Sequence, residues 1–153
     1  MSEASFVDKL GFDSDQRVVP VCRLLATNIV IYVIKVRPAA VADVFNRELA
    51  RIAISAITLA ELIHGSEKSQ NPTRNLAVVE DFCSRLVVLP YTAKAALHYG
   101  NIRVSLETQG KVIGVNDLHI AAHARSEGLT LVSNNLGEFE RVAGLQLENW
   151  IQK

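Results

Sequence analysis

The chain has 153 residues, of which 49% are hydrophobic and 21% charged, a balance that fits one globular domain and excludes disorder as the main state. Sixteen Lys and Arg offset sixteen Asp and Glu, so no global field draws nucleic acid to the protein, although a local basic rim would suffice. Two cysteines, Cys22 and Cys83, are too few and too far apart for a disulfide framework or a zinc clip, and both are expected as buried free thiols. No run approaches the roughly 18 apolar residues of a membrane span, and the N-terminus lacks the basic start and apolar core of a signal peptide. A cytoplasmic protein with no membrane contact is expected.

Residues 1–19 are mixed polar and do not share the pattern that follows. They read as a tail, flexible or an expression remnant, ahead of one domain at 20–153. A second reading lets Phe6, Leu10, Phe12 and Arg17 dock on a groove of the same or another chain. Residues 21–25 form a short apolar run suited to a buried strand. Thr27 and Asn28 are N-cap residue types for a helix reaching 36. Pro38 suits the first turn of the next helix, with Val41, Val44, Phe45 and Leu49 on one face.

Residues 51–55 read as a second strand, and Thr58 opens a helix through Glu61 that Gly65 stops near His64. Asn71 and Pro72 start a longer helix carrying Leu76, Val78, Val79, Phe82 and Leu86. A third strand at 87–89 breaks at Pro90. Residues 92–109 support one long helix or two short ones, ended by Gly110. Asn116 caps a helix over 117–127, closed by Gly128. Strands follow at 129–132 and 145–147, and Trp150 seals the end against the core. This alternation predicts an α/β protein, a three-layer α/β/α domain around a central, mostly parallel sheet of four or five strands.

In such a sheet function collects beyond the carboxyl ends of the strands. Four segments fall there: Ala26-Thr27-Asn28, the helix bearing Glu61, the helix start at Asp117, and Asn134-Asn135. Mg²⁺ and Mn²⁺ take hard oxygen ligands of this kind, and carboxylates around such an ion can activate water against a phosphodiester. Each residue also has a plainer reading. Glu61 could be a surface helical glutamate, Asp117 could simply favour a helix N-terminus, and Asn134 and Asn135 are good turn residues.

Several short pieces recur in a telling order: Leu24-Leu25-Ala26-Thr27-Asn28-Ile29, Ile57-Thr58-Leu59-Ala60-Glu61-Leu62 with Gly65, and Asn75-Leu76-Ala77-Val78-Val79-Glu80. They continue with Ile113-Gly114-Val115-Asn116-Asp117, Ala121-Ala122-His123-Ala124, Ser133-Asn134-Asn135 with Glu138-Phe139, and Trp150. Together they resemble the PIN-domain ribonucleases and, within them, the VapC toxins of bacterial toxin–antitoxin modules. The resemblance spans 21–153. It implies a Mg²⁺ or Mn²⁺ site built from Glu61, Asp117 and the place of Ala26, where the family has Asp. Asn135 fills the fourth family position, Glu138 lies nearby as a supporting acid, and Thr27, Asn28 and Asn134 order the surrounding loops. It also implies RNA cleavage, with initiator tRNA as the candidate target, a VapB-type antitoxin as partner, and a homodimer.

Ala26 is the departure that matters, because it removes an anionic ligand. An inactivating replacement is the preferred origin, since an active toxin kills its producer; natural degeneration and an altered upstream reading frame are the alternatives. The chain is therefore expected to bind Mg²⁺ weakly and cut RNA little. A non-catalytic PIN-like module that sequesters an antitoxin or RNA is the competing function. A Ser-His-Asp hydrolase finds no Gly-x-Ser-x-Gly elbow.

His119 and His123 are spaced i, i+4 but lie about 120–160° around their helix from Asp117 and lack a third ligand, so they are read as ordinary imidazoles, as are His64 and His98. Lys35, Arg37, Lys68, Arg74, Arg103, Lys111 and Arg125 are the candidate phosphate contacts, and the sequence does not choose among them.

Overall fold

Short apolar runs become the strands of one five-stranded parallel sheet, ordered β3-β2-β1-β4-β5. The strands are β1 (Arg23–Leu25), β2 (Ile52–Ser55), β3 (Val87–Leu89), β4 (Thr130–Val132) and β5 (Leu147–Glu148). The helices are α1 (Thr27–Val36), α2 (Ala39–Glu48), α3 (Ala56–Glu67), α4 (Pro72–Cys83), α5 (Ala93–Thr108), α6 (Val115–Ser126) and α7 (Leu136–Phe139). This computed structural model describes residues 20–36 and 39–151. The expected tail at 1–19, Arg37 and the helix-opening role of Pro38 lie outside the described residues.

Register explains the layering. Leu24 lies opposite Ala53 and Leu131, whereas Leu25 lies opposite Ile54 and Val132. Successive strand residues face opposite sides, and both sides are apolar because helices cover both. On one side Leu25, Ile52, Ile54, Val88 and Val132 pack with Ile29 and Val30 of α1, Phe45 of α2, Leu59 and Leu62 of α3, and Phe82 of α4. The rings of Phe45 and Phe82 stack with centroids 5.3 Å apart. On the other side Leu24, Ala53 and Leu131 pack with Ile102 and Leu106 of α5, Leu118 and Ala121 of α6, and Phe139 of α7. Ile54 is fully buried at the sheet centre, so Ile54→Ala is expected to lower unfolding free energy by about 2–5 kcal/mol in urea titrations.

The three-layer expectation holds, with every strand pair parallel. Trp150 is buried against the first core, and its indole N–H donates to Glu148 Oε1 at 2.8 Å. Among the described residues no helix is long and apolar enough to cross a membrane.

Several local expectations need correction. Thr27 and Asn28 do not precede α1; they form its first turn, and their side chains are engaged elsewhere. Helix α3 begins at Ala56, not Thr58, with Ser55 as its N-cap accepting from the Ile57 N–H at 3.1 Å. Gly65 lies inside α3, which runs to Glu67. Leu86 falls beyond α4. Residues 49–51 form a 3₁₀ turn, so β2 starts at Ile52. Helix α6 starts at Val115 with Gly114 as N-cap, which puts Asn116 inside the first turn. The fifth strand is Leu147–Glu148. Cys22 is exposed, contrary to expectation, while Cys83 is buried and its thiol is pushed up to about 12 by that burial. Residues 92–109 form one helix, capped by the Thr92 hydroxyl.

Candidate active site at the switch point of the sheet

The sheet order reverses direction at β1, whose neighbours are β2 on one side and β4 on the other. The carboxyl ends of β1 and β4 therefore form a topological switch point, where an open α/β sheet presents a crevice. Ala26 and Ser133 follow these two strands directly. The Ala26 N–H donates to Val132 O at 2.8 Å, which extends the ladder to the rim. Beyond it the Asn28 side-chain amide donates to Ser133 Oγ at 3.1 Å, and Asn28 Oδ1 lies 3.2 Å from the same hydroxyl. Ser133 is fully buried and also accepts the Asn135 N–H at 3.0 Å. One hydroxyl thus fixes the two loops to each other.

Glu61 approaches from α3. Its Oε1 accepts from the Thr27 hydroxyl at 2.7 Å, and Thr58 Oγ1 lies 3.1 Å from the same Thr27 oxygen. A hydroxyl carries one proton; given to Glu61, it leaves Thr27 to accept from Thr58. The carboxylate is thereby held by a residue on the first turn of α1, next to Ala26. Ala26 itself is 1% exposed.

Asp117 enters from the first turn of α6. That position suits an anion at the positive end of the helix dipole. Its carboxyl is nevertheless pushed up to about 6, by burial first, then by a hydrogen bond with Glu138, the Glu138 charge and the Glu61 charge. The Glu138 and Glu61 charges thus raise the energy of ionised Asp117. The Asp117 Oδ2 lies beside Gly114, 3.7 Å from an ideal Cβ there, an ordinary van der Waals contact.

A buried polar joint holds α6 against β2 and α3. His123 is 1% exposed, and its Nδ1 lies 2.7 Å from Ser55 Oγ. Burial lowers its pKa, which favours the neutral imidazole, and the ring bonds the same hydroxyl that caps α3. His119 Nδ1 contacts Tyr91 OH at 2.8 Å, and its ring stacks on Tyr99 at 4.1 Å. Both histidines have structural partners, in agreement with the ordinary reading. His98 Nδ1 accepts from Arg125 Nε at 2.9 Å, and His64 is exposed on α3.

The structure thus brings together Ala26, Thr27, Glu61, Asp117 and Glu138, with Asn28 fixing the rim. Asn135 caps α7 through its backbone and is exposed; among the described residues its side-chain amide has no hydrogen-bond partner. Asn134 is half-buried beside it. Glu138, expected only as a supporting acid, is the one that contacts Asp117 directly. Ser55 and Ser133 had no assigned role in the sequence, and Thr58 only that of opening a helix. The usable signal was a small hydroxyl at the end of each of β2 and β4.

The donor set fits a hard divalent cation in kind, because its carboxyl oxygens are hard ligands and the Glu138 and Glu61 charges oppose ionisation of Asp117. It falls short in number: among the described residues no three His, Cys, Asp or Glu side chains are gathered closely enough to hold a metal ion. Ala26, directly after β1 and 1% exposed, contributes a methyl group and no oxygen. Thr27→Val should loosen Glu61 without removing it. In a cleavage-competent background a loss of about tenfold in kcat is expected, with the fold unchanged by circular dichroism.

The PIN domain family profile matches residues 23–145. The chain is 60% identical over 128 residues to the protein named Ribonuclease VapC2 of Haemophilus influenzae, covering 84% of this chain and 97% of that one. It is 54% identical over 127 residues to the tRNA(fMet)-specific endonuclease VapC of Shigella flexneri, covering 83% and 96%. Among solved structures, the DNA-bound VapBC complex of Salmonella typhimurium contains a chain that is 50% identical, with a TM-score of 0.84 over 86% of this chain and 99% of that one. VapBC-1 of nontypeable Haemophilus influenzae gives 39% identity and a TM-score of 0.79, covering 85% and 98%. This chain belongs to the PIN domain family, in its VapC branch.

Proposed function

We propose that this chain is the framework of an endoribonuclease toxin of a toxin–antitoxin module, with Mg²⁺ or Mn²⁺ as its cofactor and with its activity suppressed by Ala26. The observation that carries this reading is the convergence of Glu61, Asp117 and Glu138 at the switch point beside Ala26. With a carboxylate restored at position 26, Glu61 and Asp117 would hold the cation beside it and Glu138 would support Asp117; the bound ion would supply an activated water and neutralise charge on the attacked phosphate. Thr27 fixes the Glu61 carboxylate. The Asn28–Ser133 pair holds the rim, and Asn134 and Asn135 shape the loop that carries Glu138. Asp117 keeps its proton below about pH 6 and offers its charge above it, so cation binding should strengthen as pH rises through that value.

Kinship supports the partners. Relatives named tRNA(fMet)-specific endonucleases are 54% and 51% identical to this chain, which supports initiator tRNA as substrate and a cytoplasmic site of action. The VapBC complexes among the solved relatives support a VapB-type antitoxin. A second copy is a further expected partner. Leu97 and Val104, two turns apart on α5, are 77% and 58% exposed, a face that pairing would cover.

A buried methyl at position 26 favours one competing reading, a non-catalytic module that sequesters antitoxin or RNA. Cleavage of labelled RNA by the Ala26→Asp variant, with and without EDTA, separates the two. Chelator-sensitive cutting supports the nuclease, and its absence at full RNA binding supports the module.

A further inference from the structure

The site opens into a groove of about 520 Å³ between α1, α3 and the start of α4. Its walls are two stripes. On α1, Ile31 and Lys35 line the groove and continue the four-residue spacing from Thr27, and Glu61 and Gly65 of α3 line it with Lys68, the cap of that helix, at spacings of four and three. Both spacings keep residues on one helix face. The stripes meet where Thr27 bonds Glu61 and run about 12 Å to Lys35 and about 10 Å to Lys68. Arg74, on the first turn of α4, adds a third cation at the far end. Glu61 is the only carboxylate among the groove's described lining residues.

These three cations line the groove, which Lys111, Arg103 and Arg125 do not, and the two arginines are also engaged elsewhere. Arg125 is committed to His98, Asn101 and the Ala143 carbonyl, and Arg103 to Tyr99 and Glu107. Lys35, Lys68 and Arg74 are exposed, and among the described residues none lies within 4.0 Å of a carboxylate. The turn that presents two of them is ordered. Ser66 Oγ bonds Leu62 O, Ser69 Oγ bonds Ser66 O, Asn75 Nδ2 bonds Ser69 Oγ, and Asn71 Oδ1 caps α4 at the Arg74 N–H. Gly65 supplies a second observation. It sits inside a helix with an ordinary backbone and open space around its missing Cβ. A glycine there forfeits helix stability that alanine would provide. In return the groove wall stays flat one turn beyond Glu61.

We propose that this groove is the track of the RNA substrate, with Lys35, Lys68 and Arg74 binding backbone phosphates on one side of the cut and Gly65 leaving room for the strand. The inference rests on the nuclease reading. It names the substrate-positioning surface of the same site, on the ground that three free cations along a groove that leads away from a carboxylate centre suit a polyanion.

The test is fluorescence anisotropy of a labelled single-stranded oligoribonucleotide in EDTA, over a salt series, with the chain as it stands. Lys35→Gln/Lys68→Gln/Arg74→Gln is expected to weaken binding at least about tenfold. It should also lower the slope of log affinity against log salt by about 2, at roughly 0.7 per phosphate contact. Gly65→Leu should weaken binding with the salt slope unchanged, and Gly65→Ala should raise Tm. Arg47→Gln, on α2 beside Glu48 and outside the groove lining, should alter neither affinity nor slope. A triple variant that keeps both affinity and slope overturns the track, including the case in which it loses binding of a polypeptide partner instead. If the unmodified chain binds no RNA and Ala26→Asp cuts none, the nuclease reading itself fails.

Discussion

Ala26→Asp is expected to raise Mn²⁺-dependent RNA cleavage about a hundredfold or more. A correctly placed metal ion contributes several kcal/mol of charge stabilisation in the transition state, and each 1.36 kcal/mol is a tenfold change in rate. Position 26 is the residue through which that contribution should be recovered. It follows β1 directly, its N–H is bonded to Val132 O, and its neighbour Thr27 holds Glu61. The introduced carboxylate would add a fourth acid to a set in which Asp117 is already pushed up to about 6.

Without a cation that variant should therefore be less stable, by roughly 1–3 kcal/mol for an uncompensated buried polar group. Saturating Mn²⁺ should restore the loss, since a ligand at a hundredfold excess over its Kd stabilises the folded state by about 2.7 kcal/mol. Cleavage of end-labelled RNA and thermal melts with and without Mn²⁺ read both effects. A variant that stays inert, and melts identically in Mn²⁺ and EDTA, would remove position 26 from the site.

Asp117→Asn should have two opposite effects. In the Ala26→Asp background it should reduce cleavage to the uncatalysed level, because it removes an anionic ligand. In the metal-free chain as it stands it should raise stability. The folded pKa of Asp117 is raised from 3.8 to about 6, so the folded state holds a proton that the unfolded state releases between those values. The stability linked to this group is fully present below about pH 4 and is lost as pH rises through about 6. An amide escapes that loss and can donate to Glu138. After allowance for solvent screening at a half-buried site, the gain at pH 7.5 is about 1 kcal/mol, or roughly 2–4 °C in Tm, and it should vanish near pH 4. A variant less stable at pH 7.5 would mean that Asp117 is a structural cap and not a strained ligand.

The sheet was legible because parallel strands covered on both faces read as continuous apolar runs, as Leu24-Leu25 and Ile52-Ala53-Ile54 do. Helix ends were less legible wherever a polar residue's partner is remote in sequence. Thr27 has the chemistry of a cap, but its hydroxyl goes to Glu61, 34 residues away. Ser55 looked like the last residue of a strand and is both the cap of α3 and the partner of His123. Gly65 looked like a stop, but α3 continues past it. Within the site, residue type and position pointed to Glu61 and Asp117, and the resemblance supplied the role of Ala26. No local signal says that Glu138 rather than Asn135 contacts Asp117, because α7 is a four-residue helix whose orientation is set by the Ser133 hub. Cys22 was misjudged because an apolar neighbourhood in sequence does not fix which way a residue at the start of a strand points.

The central claim is that Ala26, Glu61, Asp117 and Glu138 surround one divalent-cation position. Anomalous scattering from crystals of the Ala26→Asp variant soaked in Mn²⁺ tests it most directly. The account predicts a single strong peak within coordination distance of the introduced carboxylate, Glu61 and Asp117, at the carboxyl ends of β1 and β4. Mn²⁺ bound elsewhere, with no density between Glu61 and Asp117, would contradict it.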